Sequence, residues 1–152
     1  MGEADLLFQL DGDADVMKYI TLGIPRTMDE VIEKSMPRIL KSYQDKTDFG
    51  IFAAYLINSD EYIGWFQFEK DKEFEDSIEI GWRLKKQYWG NGYATEVAIV
   101  LCELGIKMGK TIVARAMIEN LASIRVMEKA GLKFEKKFWY PDSSSPDVLY
   151  KR

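Results

Sequence analysis

From Ser77 to Leu84 the chain alternates. Ile78, Ile80, Trp82 and Leu84 fall on one side, and Glu79, Gly81 and Arg83 on the other. A period of two predicts a strand. Past Gly90 and Gly92 the period becomes helical. Ala94, Val97, Ala98, Leu101, Leu104, Gly105 and Met108 share one face, with Cys102 beside it as inert packing. The stretch from Ser77 to Ala98 therefore reads as a strand, a glycine turn, and a helix that begins at the second glycine.

The same patterning divides the rest of the chain. Residues 4–20 predict one broken or two short helices, interrupted by Asp11-Gly12-Asp13-Ala14-Asp15. Thr27 and Glu30 have capping-box spacing ahead of Met28, Val31, Ile32, Met36, Ile39, Leu40 and Tyr43, an apolar face kinked or divided by Pro37. Residues 49–58 and 62–69 predict an antiparallel hairpin, and the charged run 69–76 a solvated loop. A strand over 111–118 precedes a helix capped by Asn120 or Ser123 and ended by Gly131. Strands over 132–140 and 148–151 flank a turn-rich loop, 141–146. The order ααββ-β-α-β-α-ββ predicts an α+β (αβα) domain over 1–152, a mixed sheet with helices on both faces.

The glycine turn carries the first candidate chemistry. Glycines turn tightly and leave backbone N–H groups open, and a helix start adds a positive dipole end. Together these make an anion site, suited to the pyrophosphate of a cofactor. No Gly-Lys-Ser/Thr follows, so the turn is not a P-loop. Thr95 stands where a dinucleotide fingerprint needs a third glycine or alanine. The acids at 11–15 alternate as in a calcium loop, but Val16 and Leu22 replace its glycine and glutamate, and a capped turn is expected instead.

Composition narrows the classes. The chain has 152 residues, 47% hydrophobic and 30% charged, an ordinary globular mix for one domain. Its net charge of −4, without a long basic run, argues against nucleic-acid binding. No apolar run is long enough to span a membrane, and residues 1–10 lack the pattern of a signal peptide. One cysteine excludes an internal disulfide framework and fits the cytoplasm. Histidine is absent, which removes histidine-based nucleophile schemes and the common histidine-ligated metals. No metal is expected.

Two motifs carry a resemblance. Gln87-x-x-Gly90-x-Gly92, ending a strand and opening a helix, resembles the acetyl-coenzyme A signature of the GNAT superfamily of N-acetyltransferases. The runs Trp89-Gly90-Asn91-Gly92-Tyr93-Ala94-Thr95-Glu96 and Asn120–Leu132 resemble its Rim-type branch, which includes ribosomal-protein alanine N-acetyltransferases. The resemblance covers nearly the whole chain from Asp5. It implies a mixed, mostly antiparallel central sheet. The family opens with a strand ahead of its first helix, and here the sequence is expected to begin inside that helix: either it is shortened or the sheet lacks its first strand.

The resemblance also implies roles. The organising strand and the one starting at Thr111 would splay apart around the pantetheine arm, which pairs near Trp82 and Leu84. Amides from Gln87 through Trp89, Gly90, Asn91, Gly92, Tyr93 and Ala94, with Thr95 in the same run, would hold the pyrophosphate. An N–H near Gly81–Trp82 would polarise the thioester carbonyl. Asn120 would bind the pantetheine amide, and Arg125 and Lys129 the phosphates. Glu79 is the candidate base, with a solvent-facing or ion-paired residue as the competing reading. Where many members place a thiol-protonating tyrosine this chain has Met127, so Ser123 is the candidate donor to the leaving sulfur. The first helices, the loop near Arg26 and the last two strands would wall the acceptor, with Trp65, Phe138, Trp139 and Tyr140 as lining candidates.

The expected activity is acetyl transfer from acetyl-coenzyme A to a primary amine, a ribosomal-protein N-terminus or a small molecule, by a monomer or homodimer. A non-catalytic coenzyme A-binding or sensor domain and a dinucleotide-binding module are the alternatives.

Overall fold

The first helix, α1 (Glu3–Asp11), ends at the acidic stretch. The second helical half expected over 4–20 is instead a series of turns. Asp13 is the cause: its Oδ1 accepts the N–H groups of Asp15 at 2.8 Å and Val16 at 3.3 Å, which favours a turn over a continued helix. The computed structural model describes residues 2–43, 48–141 and 143–152. Asp142, within the loop expected over 141–146, lies outside the described residues.

The capping box closes as its spacing requires. Thr27 Oγ1 accepts the Glu30 N–H, and Glu30 Oε2 accepts the Thr27 N–H. A short helix α2 (Met28–Glu30) follows, then a π-helical turn (Val31–Ser35) and α3 (Met36–Ser42). Pro37 cannot donate a helical bond, and the Met36 N–H reaches back five residues to the Val31 carbonyl. The extra residue turns the apolar stripe. Val31 is buried, while Ile32, Leu40 and Tyr43 are exposed, so the single face expected from the sequence is broken in two.

Six strands follow: β1 (Gly50–Tyr55), β2 (Tyr62–Lys70), β3 (Ser77–Leu84), β4 (Thr111–Met117), β5 (Lys133–Phe138) and β6 (Asp147–Lys151). Helices α4 (Tyr93–Lys107) and α5 (Leu121–Lys129) flank β4 in sequence. The strand order is β1-β2-β3-β4-β6-β5. β4 runs parallel to β3 and antiparallel to β6, and β5 pairs antiparallel with β6, so the sheet is mixed. Helices flank it, as the element order predicts.

The chain divides into two compact units, one holding the residues through Gln67 with Trp82–Asn91, the other Phe68–Gly81 with Gly92–Arg152. In the first, Leu7, Leu10, Val16, Val31, Ile51, Tyr62 and Trp65 form one apolar cluster. Trp65 is therefore core. In the second, α4 lies close over β3 and β4. A side chain at Gly105 would collide with Ile112, so glycine permits the approach. Ala98 and Cys102 are fully buried there, whereas Leu104 and Met108 are exposed. The core face of α4 is thus centred on Cys102, not beside it.

Candidate functional site

The turn after β3 is braced from within. A 3-10 turn (Lys86–Tyr88) follows Lys85. Trp89 then folds back, and its indole Nε1 donates to the Leu84 carbonyl at 2.8 Å. Asn91 Nδ2 donates to the Trp89 carbonyl at 3.2 Å. Gln87 Nε2 donates to the Tyr88 hydroxyl at 3.1 Å. Gly90 and Gly92 have φ of 78° and 87°, a conformation that disfavours any residue with a Cβ. A Cβ on either glycine would meet nothing within 4 Å. The glycines are required by backbone conformation, and the space above them is open.

Gly92 is the N-cap of α4, whose ladder begins with the Glu96 N–H donating to the Gly92 carbonyl at 2.9 Å. The amides of Ala94 and Thr95 stand ahead of that first bond, at the positive end of a 15-residue helix. Open space over two left-handed glycines, next to such a helix start, fits a pyrophosphate.

β3 contributes a second feature. Its ladder with β4 pairs Ser77 with Thr111, Ile78 with Ile112 and Glu79 with Val113. Among the described residues the ladder ends there, while β4 continues to Met117 against β6. The resemblance implies that the two strands part beyond this rung.

Glu79 lies at the last rung. Register places it on the same face as Val113 and, two residues on, Arg115. Arg115 Nη1 meets Glu79 Oε1 at 3.0 Å and Asp71 Oδ2 at 2.5 Å, and its Nη2 meets Glu73 at 3.3 Å. Asp71 Oδ1 accepts the N–H groups of Glu73 at 2.9 Å and Phe74 at 2.8 Å. Burial alone would push the Asp71 carboxyl up. The Arg115 hydrogen bond and the two backbone N–H groups outweigh it and hold Asp71 below the usual carboxylate range. Glu79 is thus ion-paired, the competing reading of its sequence position.

Asn120 is the N-cap of α5, and its Oδ1 accepts the Ser123 N–H at 3.2 Å. The structure brings these two predicted residues together, with Asn120 as the cap. Met127 is buried on the core face of the same helix. Arg125 and Lys129 are exposed, with no ion pair among the described residues. Trp139 and Tyr140 are exposed, and the Tyr140 ring meets Phe138 edge-on at 5.2 Å. Arg26 is a brace: its Nη1 donates to Asp11 at 3.1 Å and to Ser35 Oγ at 2.6 Å.

Two features escaped the sequence. The run 69–76 is not a uniformly solvated loop, because the Asp71 side chain is only 1% exposed. Arg115 was the available signal, a lone charge in Ile112-Val113-Ala114-Arg115-Ala116-Met117. The second is Asp11, 1% exposed, which holds both Arg26 and Arg83. A separate cavity of about 220 Å³, mostly apolar, lies among residues of α1, α3, β1 and β2, Leu6, Met36 and Ile51 among them. Among the described residues no helix is long and apolar enough to cross a membrane, and no cluster of acids or cysteine suits a metal.

Comparison with known proteins bears on the family and the fold. The family described as acetyltransferase (GNAT) domain matches residues 2–133. FsC-acetyl coenzyme A-N(2)-transacetylase of Aspergillus fumigatus is 29% identical over 93% of this chain, which spans 63% of that protein's length. The uncharacterized N-acetyltransferase YnaD of Bacillus subtilis is 32% identical over 87% of this chain and 74% of its own. The crystal structure of a GNAT-family acetyltransferase from Bacillus anthracis superposes with a TM-score of 0.79 at 28% identity, covering 99% of this chain and 88% of that one. A profile match over most of the chain, carried on a mixed six-stranded sheet, establishes that this chain belongs to the GNAT family of acetyl-coenzyme A-dependent acetyltransferases.

Proposed function

We propose that this chain transfers an acetyl group from acetyl-coenzyme A directly to a primary amine. The observation that carries this reading is the pair of left-handed glycines, open above, at the start of α4. The amides from Gln87 through Thr95 take the pyrophosphate, and β3 takes the pantetheine arm near Trp82 and Leu84. Asn120 offers its side-chain N–H groups to a pantetheine amide while its oxygen caps α5. Arg125 and Lys129 meet the outer phosphates.

Acetyl-coenzyme A, when bound, would supply an activated thioester. The amine nitrogen forms the new C–N bond, the C–S bond breaks, and the thiolate leaves. Glu79, in its ion pair with Arg115, attracts the incoming ammonium and receives its proton, directly or through water. Ser123 donates to the departing sulfur. The motif likeness to the Rim-type branch supports a protein N-terminus as the acceptor, and a small-molecule amine is the other acceptor class.

A non-catalytic coenzyme A-binding domain is the second reading. It is favoured by Met127, which cannot donate a proton and is buried. An acceptor panel decides between them: peptides with different N-terminal residues, polyamines, amino acids and aminoglycosides, each with acetyl-coenzyme A. Release of coenzyme A together with an acetylated amine supports the enzyme. Tight coenzyme A binding with no acetylated amine in the panel overturns it.

A further inference from the structure

We propose that Arg26, Arg38 and Arg83 form a carboxylate site, and that it holds the acceptor, an amino acid whose own amine is acetylated. This rests on the reading of the chain as an acetyltransferase that acts on a primary amine. The cluster is built around Asp11, which is 1% exposed. Its Oδ1 accepts from Arg83 Nη1, and its Oδ2 accepts from Arg26 Nη1 at 3.1 Å and from Ser35 Oγ at 2.6 Å. Both carboxylate oxygens are therefore in use.

The cations outnumber this acid. One guanidinium would balance Asp11, and two share it. A third, Arg38, acts on Arg83 as a like charge, while its Nη2 donates to the neutral Gln67 Oε1 at 3.1 Å. Glu30 also feels Arg26, but it is paired with Lys34 at 2.7 Å. Burial pushes the Arg83 guanidinium down, Asp11 opposes this, and Arg26 and Arg38 add to it. The Arg83 side chain is 11% exposed, and its Nε is buried without a hydrogen-bond partner among the described residues. An unmade buried hydrogen bond and an excess of like charge both cost stability. The Trp65 ring, 5.0 Å from the guanidinium, offsets part of that cost. A bound anion would offset more of it.

Planar guanidinium forks match a carboxylate, which they can hold through paired hydrogen bonds. Arg26 is 25% exposed and Arg38 is exposed, so the cluster has a solvent side. The phosphates of coenzyme A are assigned to the glycine turn, which leaves the acceptor as the reactant that brings a further anion. Trp65 and Tyr62 also line the apolar cavity of about 220 Å³, and Tyr62 feels both Asp11 and Arg83. The cluster and the cavity thus share residues. An amino acid with an apolar side chain has one part for each.

The test compares amino acids with their decarboxylated amines, L-phenylalanine with phenethylamine and L-leucine with isoamylamine, each with acetyl-coenzyme A. The amino acid of a pair should have the higher kcat/KM by about tenfold or more. Arg38→Gln should collapse that ratio. Arg38 is exposed and holds no part of Asp11, so this variant should fold; where it does not, Arg38→Lys, which keeps the charge and loses the fork, carries the test with a lowered ratio. Hydrocinnamate, a carboxylate without an amine, should compete with L-phenylalanine.

Equal kcat/KM within both pairs, or a ratio unchanged in the folded Arg38 variant, overturns the proposal and leaves the transferase reading in place. Hydrocinnamate that alters the rate without competing shows a separate anion site, and overturns the assignment to the acceptor. Arginine Nε–H NMR signals, followed during titration with L-phenylalanine, read binding apart from turnover. Shifts at Arg38 and Arg83 with no amine acetylated would mean that the transferase reading fails while the carboxylate site holds. No shift at either arginine at saturating L-phenylalanine overturns the site itself.

Discussion

The Trp89 indole N–H closes on the Leu84 carbonyl at 2.8 Å and ties the end of β3 to the glycine turn. This one bond holds the turn's entry while Gly90 and Gly92 set its path. Trp89→Phe keeps most of the ring and deletes the donor. A loss of about 1 kcal/mol is expected from the missing hydrogen bond. KM for acetyl-coenzyme A should rise several-fold with kcat changed less. Calorimetric melting and initial rates at varied acetyl-coenzyme A check both. An unchanged KM would mean that the brace does not shape the cofactor turn.

Gly92 has a φ of 87° with nothing near its missing Cβ. Crowding is therefore not the obstacle to substitution. Gly92→Ala should cost about 1–2 kcal/mol through the left-handed conformation alone. Gly92→Val, β-branched, should stay folded but lose coenzyme A binding by titration calorimetry. Wild-type affinity in the folded valine variant would remove the pyrophosphate assignment.

Asn120 has two separable tasks. Asn120→Asp keeps the acceptor that caps α5 and removes the amide donors. It should hold the melting temperature and weaken acetyl-coenzyme A binding. Asn120→Ala should do both kinds of damage, with about 0.5–2 kcal/mol lost from the cap. Ser123→Ala should lower kcat more than cofactor affinity, and unaltered kinetics would leave Ser123 as part of the helix start only.

The pH dependence of stability follows from Asp71. Its folded carboxyl lies below the ordinary value of 3.8, because Arg115 and two backbone N–H groups outweigh burial. A depressed carboxyl stabilises the fold above its unfolded value and loses that contribution as pH falls through the folded value. Asp71→Asn should melt lower than wild type at pH 6, and the gap should narrow below about pH 3.8. A gap that is constant down to pH 2 would mean that the ionised carboxylate contributes nothing.

Local signals made much of this molecule legible. β3, the Thr27–Glu30 box and the Asn120 cap each depend on residues within a few positions, and each stands where the pattern places it. The phase of a longer helix was less secure. Cys102 is at the core of α4 and Leu104 outside it, because close packing at Gly105 sets the rotation. The polar clusters were illegible for a different reason. Arg115 finds Asp71 across 44 residues and Arg83 finds Asp11 across 72. No periodicity encodes such pairs. A buried acid looks like a solvated one until the partner that neutralises it is placed.

A backbone amide NMR titration of the glycine turn decides whether it grips coenzyme A, with coenzyme A in one arm and a nicotinamide dinucleotide in the other. Coenzyme A should shift and protect the amides from Gly90 through Thr95, and the dinucleotide should not. Protection by the dinucleotide alone, or no change at Gly90 and Gly92 with coenzyme A bound, would overturn the assignment of this turn as the pyrophosphate site.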